Sequence, residues 1–215
     1  MGLRIDPSLI PLAPTLEFEQ AFWAQGLTAI AGVDEVGRGA LAGPVYAAAV
    51  IFPQDADLLH ELDGVRDSKC MSPEEREAWS PVIQAHASAW AIGQANAAEI
   101  DQVGIVPATR LAMQRALQSM AIQAEHVLID ALKLPEVATP QTSLYKGDAR
   151  ALSIAAASVL AKVARDALLR ELDYDFPQYG FARHKGYATE FHLQMLEAHG
   201  PSQLHRLSFA PMRVA

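Results

Sequence analysis

Apolar and polar positions along the chain predict an early group of strands, followed by helices and strands in alternation. Residues 27–33 and 44–52 are apolar stretches separated by a glycine-containing turn, which predicts two paired strands. Residues 88–94 are a third strand candidate, although their alanine content is equally compatible with a helix. Residues 126–130 (HVLID) predict a short buried strand, and residues 142–149 (TSLYKGDA) predict a further one.

Helix signals occupy most of the remaining chain. Ser72 and Pro73 are typical of a helix start, and Glu75 completes a capping box with Ser72. Helices are predicted at residues 73 to about 85, 107–123, 151–172 and 189–199, the last ended by Gly200-Pro201. This order of elements favours an α/β fold in which helices flank a mixed sheet.

Composition narrows the class of protein. The chain has 215 residues, 51% hydrophobic and 20% charged, enough for one sizeable core. It lacks about 18 consecutive apolar residues and a recognisable secretory signal, so we expect a cytoplasmic protein without a membrane span. Cys70 is the single cysteine, which excludes an intrachain disulfide. A formal net charge of -8 argues against nonspecific coating of nucleic acid, but not against an enzyme that meets phosphates through bound cations.

Four acids lie where an α/β sheet gathers ligands. Asp34, Glu35, Asp130 and Asp148 each fall at or just beyond the end of an apolar stretch. A single aspartate in a loop is usually a turn or cap residue, but Asp130 ends a strand-like run, where an ionised group needs a cation or strong donors. Adjacent strand residues point to opposite faces, so Asp34 and Glu35 share a site only if the strand ends or twists there. Converging carboxylates favour Mg²⁺ or Mn²⁺.

Six motifs carry a family resemblance. They are AGVDEVGRGALAGPV at 31–45, DSK at 67–69, LIDALKLP at 128–135, KGDARALSIAAASVLAKVARD at 146–166, and HKGYAT with HRLSF near the end. Together they resemble bacterial ribonuclease HII, the type 2 ribonuclease H, over about residues 28 to 211. The resemblance implies a ribonuclease H-like fold: a mixed five-stranded sheet flanked by helices, with a small C-terminal helical extension. It also implies an endonuclease that cleaves the RNA strand of RNA-DNA hybrids, and nicks 5' of ribonucleotides embedded in duplex DNA, leaving 5'-phosphates.

The resemblance assigns roles to particular residues. Asp34, Glu35, Asp130 and Asp148 correspond to the family's catalytic, metal-binding acids, with Mg²⁺ or Mn²⁺ as cofactor. Gly37-Arg38-Gly39, the GRG turn, corresponds to the family's sensor of the ribonucleotide. Close approach of its backbone would let peptide groups hydrogen-bond the 2'-hydroxyl.

Further substrate contacts are expected at residues outside the acids and the GRG turn. Tyr187 corresponds to the family tyrosine that packs on the sugar after the ribonucleotide; its alternative is a core tyrosine. Candidate phosphate contacts are Ser68, Lys69, Lys146, Arg183 and Lys185, with His184 between the last two. Lys162 and Arg165 are expected to face solvent or pair with acids such as Asp166. His192, His199 and His205 are expected to be surface or hydrogen-bonded structural residues.

Alternatives from other classes stay open at this point. A junction resolvase or another nuclease of the same fold would use clustered acids equally well, and a binding module could recognise hybrids without cutting. A nucleotide hydrolase is disfavoured because no GxxxxGK[ST] loop occurs. We expect an N-terminal segment (1–26), a catalytic domain (27–175) and a helical extension (176–215) that contributes to substrate binding. We also expect a monomer that binds RNA-DNA hybrid and ribonucleotide-containing DNA, without a clamp-binding tail.

Overall fold

The computed structural model describes residues 10–55 and 57–212. Residues 1–9 of the expected N-terminal segment lie outside the described part, as do residues 213–215, which bear on the expectation about a clamp-binding tail. No helix in the described ranges is both long and apolar enough to cross a membrane.

Five strands form one mixed sheet, as predicted. They are β1 (Ile30–Val36), β2 (Val45–Ile51), β3 (Ala89–Ala95), β4 (His126–Asp130) and β5 (Gln141–Leu144). The order across the sheet is β3-β2-β1-β4-β5. β1 pairs antiparallel with β2 and parallel with β4, so it lies at the centre. β3 pairs antiparallel with β2, and β5 pairs parallel with β4.

Eight helices surround the sheet in the described residues. They are α1 (Glu17–Trp23), α2 (Leu58–Glu61), α3 (Pro73–His86), α4 (Ala97–Val103), α5 (Ile105–Gln118), α6 (Leu152–Asp175), α7 (Phe181–His184) and α8 (Glu190–His199). The capping box of α3 is present, since Ser72 Oγ accepts from Glu75 N and Glu75 Oε2 accepts from Ser72 N. α8 ends at Gly200, which has a positive φ of 71°. These helix boundaries confirm the capping signals in the sequence.

Some predicted boundaries were wrong. The predicted strand at 27–33 is β1, displaced to Ile30–Val36, because backbone pairing with β2 continues through Glu35 and Val36. The predicted helix at 107–123 begins at Ile105 and stops at Gln118. The ambiguous stretch at 88–94 is a strand whose residues alternate between buried and exposed.

The expected strand at 142–149 is only partly correct. β5 stops at Leu144, and Lys146 adopts a left-handed backbone conformation with φ 52°. The chain then forms a short 3-10 helix, Gly147–Ala149. Because of this turn, Asp148 points back towards the sheet instead of continuing away from it.

Small residues let the two long helices approach the sheet closely. α5 packs on one face and α6 on the other, over strands rich in alanine. A Cβ atom on Gly32 of β1 would lie 2.2 Å from the backbone carbonyl carbon of Ser153 in α6. A Cβ on Gly93 of β3 would lie 2.1 Å from the backbone oxygen of Ala112 in α5. These two contacts fix the spacing of the helix layers.

The C-terminal segments form a separate apolar cluster beside the end of the sheet. Its buried members are Leu41, Ala42, Leu169, Tyr179, Phe181 and Leu196. The cluster therefore joins the loop after β1 to the end of α6 and to the two last helices. α7 and α8 constitute the small helical extension that the sequence predicted.

Gly32→Ala tests the close approach of β1 and α6. We expect a loss of more than about 2 kcal/mol in the free energy of unfolding, because backbone atoms would have to move apart. Urea titration followed by circular dichroism measures this. Gly39→Ala is the matched control: Gly39 has nothing within 4 Å of an added Cβ, so its stability should change by less than about 0.5 kcal/mol. Equal stability of the two variants would contradict the packing argument.

Candidate active site

The two central parallel strands place a pair of aspartates at one end of the sheet. Val33 of β1 pairs with Ile129 of β4, so the next residues along each strand, Asp34 and Asp130, lie side by side. Asp148 comes from the 3-10 helix after β5, and the preceding Gly147 N donates a hydrogen bond to Asp130 Oδ1 at 2.6 Å. Three acids that are distant in sequence are thus joined by strand pairing and one backbone turn.

Glu35 lines the same cavity as Asp34, the residue before it in the sequence. Asp34, Glu35 and Asp130 all line a cavity of about 220 Å³. β1 ends at Val36, one residue after Glu35, and its pairing with β4 already ends at Val33. The strand therefore ends beside the two adjacent acids, which is one of the two conditions that the sequence set for a shared site.

Burial, together with neighbouring negative charge, raises the pKa of two of the acids, Asp34 and Asp130. Asp34 is 3% exposed, and burial first, then Glu35, Asp130 and Asp148, raise its pKa well above the usual value. Burial also raises the pKa of Asp130 to about 6, with smaller contributions from Asp148 and Glu35 and an opposing one from the Gly147 N–H. Such a cluster is unfavourable while all its members are ionised.

Two basic side chains offset part of this charge. Lys69 Nζ lies 3.2 Å from Asp148 Oδ2, and Arg38 Nη1 lies 3.0 Å from Glu35 Oε1. Burial alone would lower the pKa of Lys69, but Asp148, then Asp67 and Asp34, raise it overall. Asp34, the most buried of the acids, has no such basic partner in the described ranges.

The donor set fits divalent cations. Asp34 Oδ2 and Glu35 Oε2 are buried and have no hydrogen-bond partner among the described residues, and such orphaned oxygens need a compensating interaction. Carboxylate oxygens are the ligands that hard cations prefer. No three acidic, histidine or cysteine side chains of the described residues are arranged as a finished metal site. Instead, Lys69 and Arg38 each engage one of the acids.

The GRG turn borders the acids directly. Gly37, Arg38 and Gly39 line the same cavity, so their backbone faces whatever occupies it. Gly37 has a φ of 89°, and an added Cβ would lie 2.2 Å from Arg165 Nε. Gly39 has neither constraint, because its φ is not positive and nothing lies within 4 Å of the Cβ position. Gly37 is therefore required by the fold, whereas the protein itself imposes no steric requirement on Gly39.

Tyr187 also lines the cavity. It is partly buried and belongs to none of the apolar clusters of the described residues. Its ring centroid lies 5.5 Å from the Arg165 guanidinium and 5.7 Å from Lys162 Nζ. This position is that of a cavity-lining ring packed on cations, and not that of a core tyrosine.

A chain of hydrogen bonds links the backbone of Tyr187 to two buried histidines. Ser202 N donates to His205 Nδ1, which leaves the His205 Nε2–H to donate to His192 Nε2 at 3.0 Å. His192 Nδ1 then donates to the backbone oxygen of Tyr187 at 2.9 Å. His192 and His205 are buried and hydrogen-bonded, one of the two outcomes predicted, whereas His199 is exposed.

The remaining predicted contacts divide into two groups. Ser68 and Lys69 line the cavity with the acids. Lys146, Arg183 and Lys185 do not line it: Lys146 is exposed beyond β5, Arg183 lies over the Phe191 ring, and Lys185 Nζ donates to the Ala182 backbone oxygen.

The expectation for two charged residues of α6 near the cavity was confirmed for one, Lys162, and wrong for the other, Arg165. Lys162 pairs with Asp166 at 2.7 Å, as expected, but it also lines the cavity. Arg165 was predicted to face solvent or to pair with an acid, which is wrong: it is 0% exposed and bonds only backbone oxygens. The available signal was the helical spacing that places both residues on the sheet-facing side of α6 with Ser158.

Comparisons with known proteins agree with this geometry. A family model described as Ribonuclease HII matches residues 31–212. Ribonuclease HII from Synechococcus sp. (strain JA-3-3Ab) is 52% identical over 200 residues, which cover 93% of this chain and 90% of the relative.

Solved structures share the fold at lower identity. Ribonuclease H2 from Pyrococcus horikoshii OT3 has a TM-score of 0.71 and 23% identity, covering 86% of this chain and 95% of its own. Bst-RNase HIII in complex with Mn²⁺ has a TM-score of 0.63 and 21% identity, covering 86% of this chain and 68% of its own. The fold follows from these likenesses, and the family model with the close bacterial relative shows that the chain belongs to the ribonuclease HII family.

Proposed function

We propose that this protein cleaves the RNA strand of RNA-DNA hybrids and nicks on the 5' side of single ribonucleotides in duplex DNA, leaving 5'-phosphate ends. The observation that carries the proposal is the meeting of three elements in one cavity: an acid cluster with orphaned oxygens, the GRG turn, and Tyr187. Membership of the ribonuclease HII family supports the ribonuclease H activity.

Asp34, Glu35, Asp130 and Asp148 would hold Mg²⁺ or Mn²⁺. The support is their all-oxygen donor set and the unpartnered oxygens of Asp34 and Glu35; a protein of the same fold, Bst-RNase HIII, has been solved with Mn²⁺. When bound, two such ions supply an activated water and stabilise the leaving 3'-oxygen, which removes the need for a protein nucleophile.

The other cavity residues would bind and orient the substrate. Backbone groups of the GRG turn can hydrogen-bond a 2'-hydroxyl, the group that distinguishes RNA from DNA. The exposed Lys69 ammonium, held beside Asp148, can contact a phosphate oxygen. The ring of Tyr187 can pack on the sugar that follows the ribonucleotide.

The division of the chain follows the same logic. We assign catalysis to residues 27–175, which supply the acids and the GRG turn, and substrate binding in part to residues 176–212, which supply Tyr187. Lys146, Arg183 and Lys185 remain candidates for phosphate contacts outside the cavity. We also propose that the protein acts as a monomer in the cytoplasm.

Cleavage of duplex DNA with one embedded ribonucleotide tests the function. We expect one nick on the 5' side of the ribonucleotide, with Mg²⁺ or Mn²⁺ and not in EDTA, resolved by denaturing electrophoresis of end-labelled strands. The matched control is the same duplex with a deoxyribonucleotide at that position. Equal cleavage of the control, or full activity in EDTA, would exclude the proposal.

Asp130→Asn tests the acid cluster by activity and by stability. Activity should fall at least a hundredfold, while hybrid binding stays similar or tightens because a charge that repels phosphate is gone. The amide can still accept the Gly147 hydrogen bond, so the fold should persist.

The same variant should be more stable than the wild type in EDTA at pH 8. Because the folded pKa is raised to about 6, the stability that wild-type Asp130 contributes is present at low pH and is lost as the pH rises to about 6. The variant should therefore gain roughly 1–2 kcal/mol at pH 8, seen as a melting temperature higher by a few degrees. This difference should vanish near pH 4. A variant that is less stable at pH 8, or one that keeps its activity in saturating Mg²⁺, would show that Asp130 lies outside the metal-binding cluster.

Gly39→Ala separates substrate reading from folding. Because the Cβ position is open, melting temperature should stay within about 2 °C of the wild type. Cleavage at an embedded ribonucleotide should fall at least tenfold, since the added methyl group would keep the ribose of the substrate away from the peptide backbone of the GRG turn. Gly37→Ala, by contrast, should lower stability and activity together, because its Cβ would collide with Arg165. Unchanged kcat/KM in Gly39→Ala would remove this glycine from the substrate contact.

A further inference from the structure

Two arginines beside the cavity are buried without an acidic partner. Arg165 of α6 and Arg206 near the end of the chain are both 0% exposed. Among the described residues, neither forms an ion pair with a carboxylate. Burial lowers the pKa of both guanidiniums, although an arginine stays protonated at neutral pH. Burying an unpaired cation costs several kcal/mol unless hydrogen bonds replace its water.

The Arg206 guanidinium bonds to the loop that contains the GRG turn. Its Nε and Nη2 donate to Gly43 O at 3.0 and 2.8 Å, and its Nη1 donates to Arg38 O at 2.9 Å. The Arg206 backbone N–H donates to Leu41 O at 2.9 Å. One residue thus holds the middle of the GRG turn and the point where the loop returns to the sheet.

Arg165 joins the same loop to the segment that carries Tyr187. Its Nε donates to Pro44 O at 2.9 Å and its Nη2 to Ala42 O at 3.0 Å, while its Nη1 donates to Lys185 O at 2.9 Å. The same guanidinium lies under the Tyr187 ring. Arg165 therefore connects the loop that contains the GRG turn to the segment that carries Tyr187, and it does so through a single planar group.

Backbone hydrogen bonds complete the connection. Leu41 N donates to Gly186 O at 2.8 Å, and Gly43 N donates to Leu204 O at 2.8 Å. Three segments that are distant in sequence, 38–44, 185–187 and 204–206, consequently form one unit around two cations. Among the described residues, the one side-chain hydrogen bond and ion pair between this unit and the acids joins Arg38 to Glu35.

We propose that Arg165 and Arg206 are positioning residues, which hold the GRG turn at a fixed distance from Tyr187 and thereby set the selectivity for an isolated ribonucleotide. This inference rests on the proposed function. The planar fork of arginine suits the role, since it satisfies several carbonyl oxygens at fixed angles, which a lysine ammonium on a flexible stem does not. A displacement of about 1 Å in such a site can cost about a hundredfold in rate.

The proposal predicts unequal effects on two substrates. A long RNA-DNA hybrid presents a ribose at every position of one strand, so a loosened GRG turn can still meet a 2'-hydroxyl nearby. A duplex with one embedded ribonucleotide presents a single 2'-hydroxyl in one register. Loss of positioning should therefore reduce cleavage of the second substrate more than cleavage of the first.

The experiment compares kcat/KM for these two substrates in the wild type, Arg165→Lys and Arg206→Lys. We expect the ratio of embedded-ribonucleotide to hybrid cleavage to fall at least tenfold in each variant. Mn²⁺ affinity, measured by calorimetry, should stay within about threefold of the wild type, since the acids are untouched. Met113→Ala is the control, because Met113 is fully buried in the cluster on the α5 face; its truncation destabilises the fold and should leave the ratio unchanged.

Asp101→Ala provides a test that leaves the buried arginines in place. Asp101 accepts hydrogen bonds from Leu207 N, Ser208 N and Ser208 Oγ, which tether the segment after Arg206 from the surface. If the lysine variants do not fold, a fall of at least threefold in the ratio for Asp101→Ala supports the proposal, and an unchanged ratio overturns it.

The outcomes distinguish the inference from the function beneath it. A wild-type protein that does not nick at a single ribonucleotide overturns the proposed function, and the inference with it. A wild type that nicks, together with folded arginine variants whose two activities fall equally, overturns the positioning role alone and leaves the function standing.

Discussion

Mutual repulsion among carboxylates at the end of the central strands is the constraint on which the rest of the site depends. Asp34 and Asp130 are neighbours because β1 and β4 are parallel, and burial raises the pKa of both. Such a group of acids costs stability while its members are ionised, and the hydrogen bond to Asp130 and the two ion pairs offset only part of that cost. The cost is consistent with a site built for cations, since the stabilising partner is supplied by what binds there.

Close packing against α6 positions the residues that surround the acids. α6 crosses β1 so closely that Gly32 has no room for a Cβ, which fixes the strand against a helix of 24 residues. The buried Ser68 side chain meets Ser158 of that helix at 2.7 Å, and Arg76 bonds the backbone oxygen of Ser68 at 2.7 Å. Lys69 is thereby brought beside Asp148. A single helix is the common reference for the acids, for the DSK segment and, through Arg165, for the GRG turn.

Charge is distributed differently on the two sides of the cavity. On one side, four acids have only Lys69 and Arg38 as basic partners among the described residues. On the other, Arg165 and Arg206 are buried, pair with no acid in the described part of the chain, and bond to carbonyl oxygens. Backbone oxygens carry only partial charge, so each guanidinium needs several of them, and they must converge. That requirement draws distant segments of the loop and the C-terminal extension together. The positive side thus shapes the loop, and the negative side presents the carboxylates that we propose as cation ligands.

Much of the fold could be predicted from the sequence alone, and the sequence also nominated the four acids as candidate site residues. Local rules were sufficient for α3, whose capping box involves residues three apart, and for α8, which ends at a glycine. Long ordered motifs carried the family resemblance that nominated the four acids, the GRG turn and Tyr187. The structure places Asp34, Glu35, Asp130, the GRG turn and Tyr187 around one cavity. The assignment of the 88–94 stretch as strand or helix was decided by tertiary packing, since the strand β3 depends on pairing with β2 and not on alanine propensity.

Only the tertiary structure decided what surrounds the site. Arg165 looked like one more charged residue on a helix, and nothing within a few positions of it indicates that its partners are Ala42, Pro44 and Lys185. The turn that carries Asp148 back to Asp130 likewise depends on a left-handed Lys146, a conformation that the sequence pattern did not indicate. The physical reason is the same in each case: hydrogen bonds between residues 17 to 123 positions apart leave no periodic trace, whereas capping, apolar spacing and glycine punctuation act within one or two turns of chain.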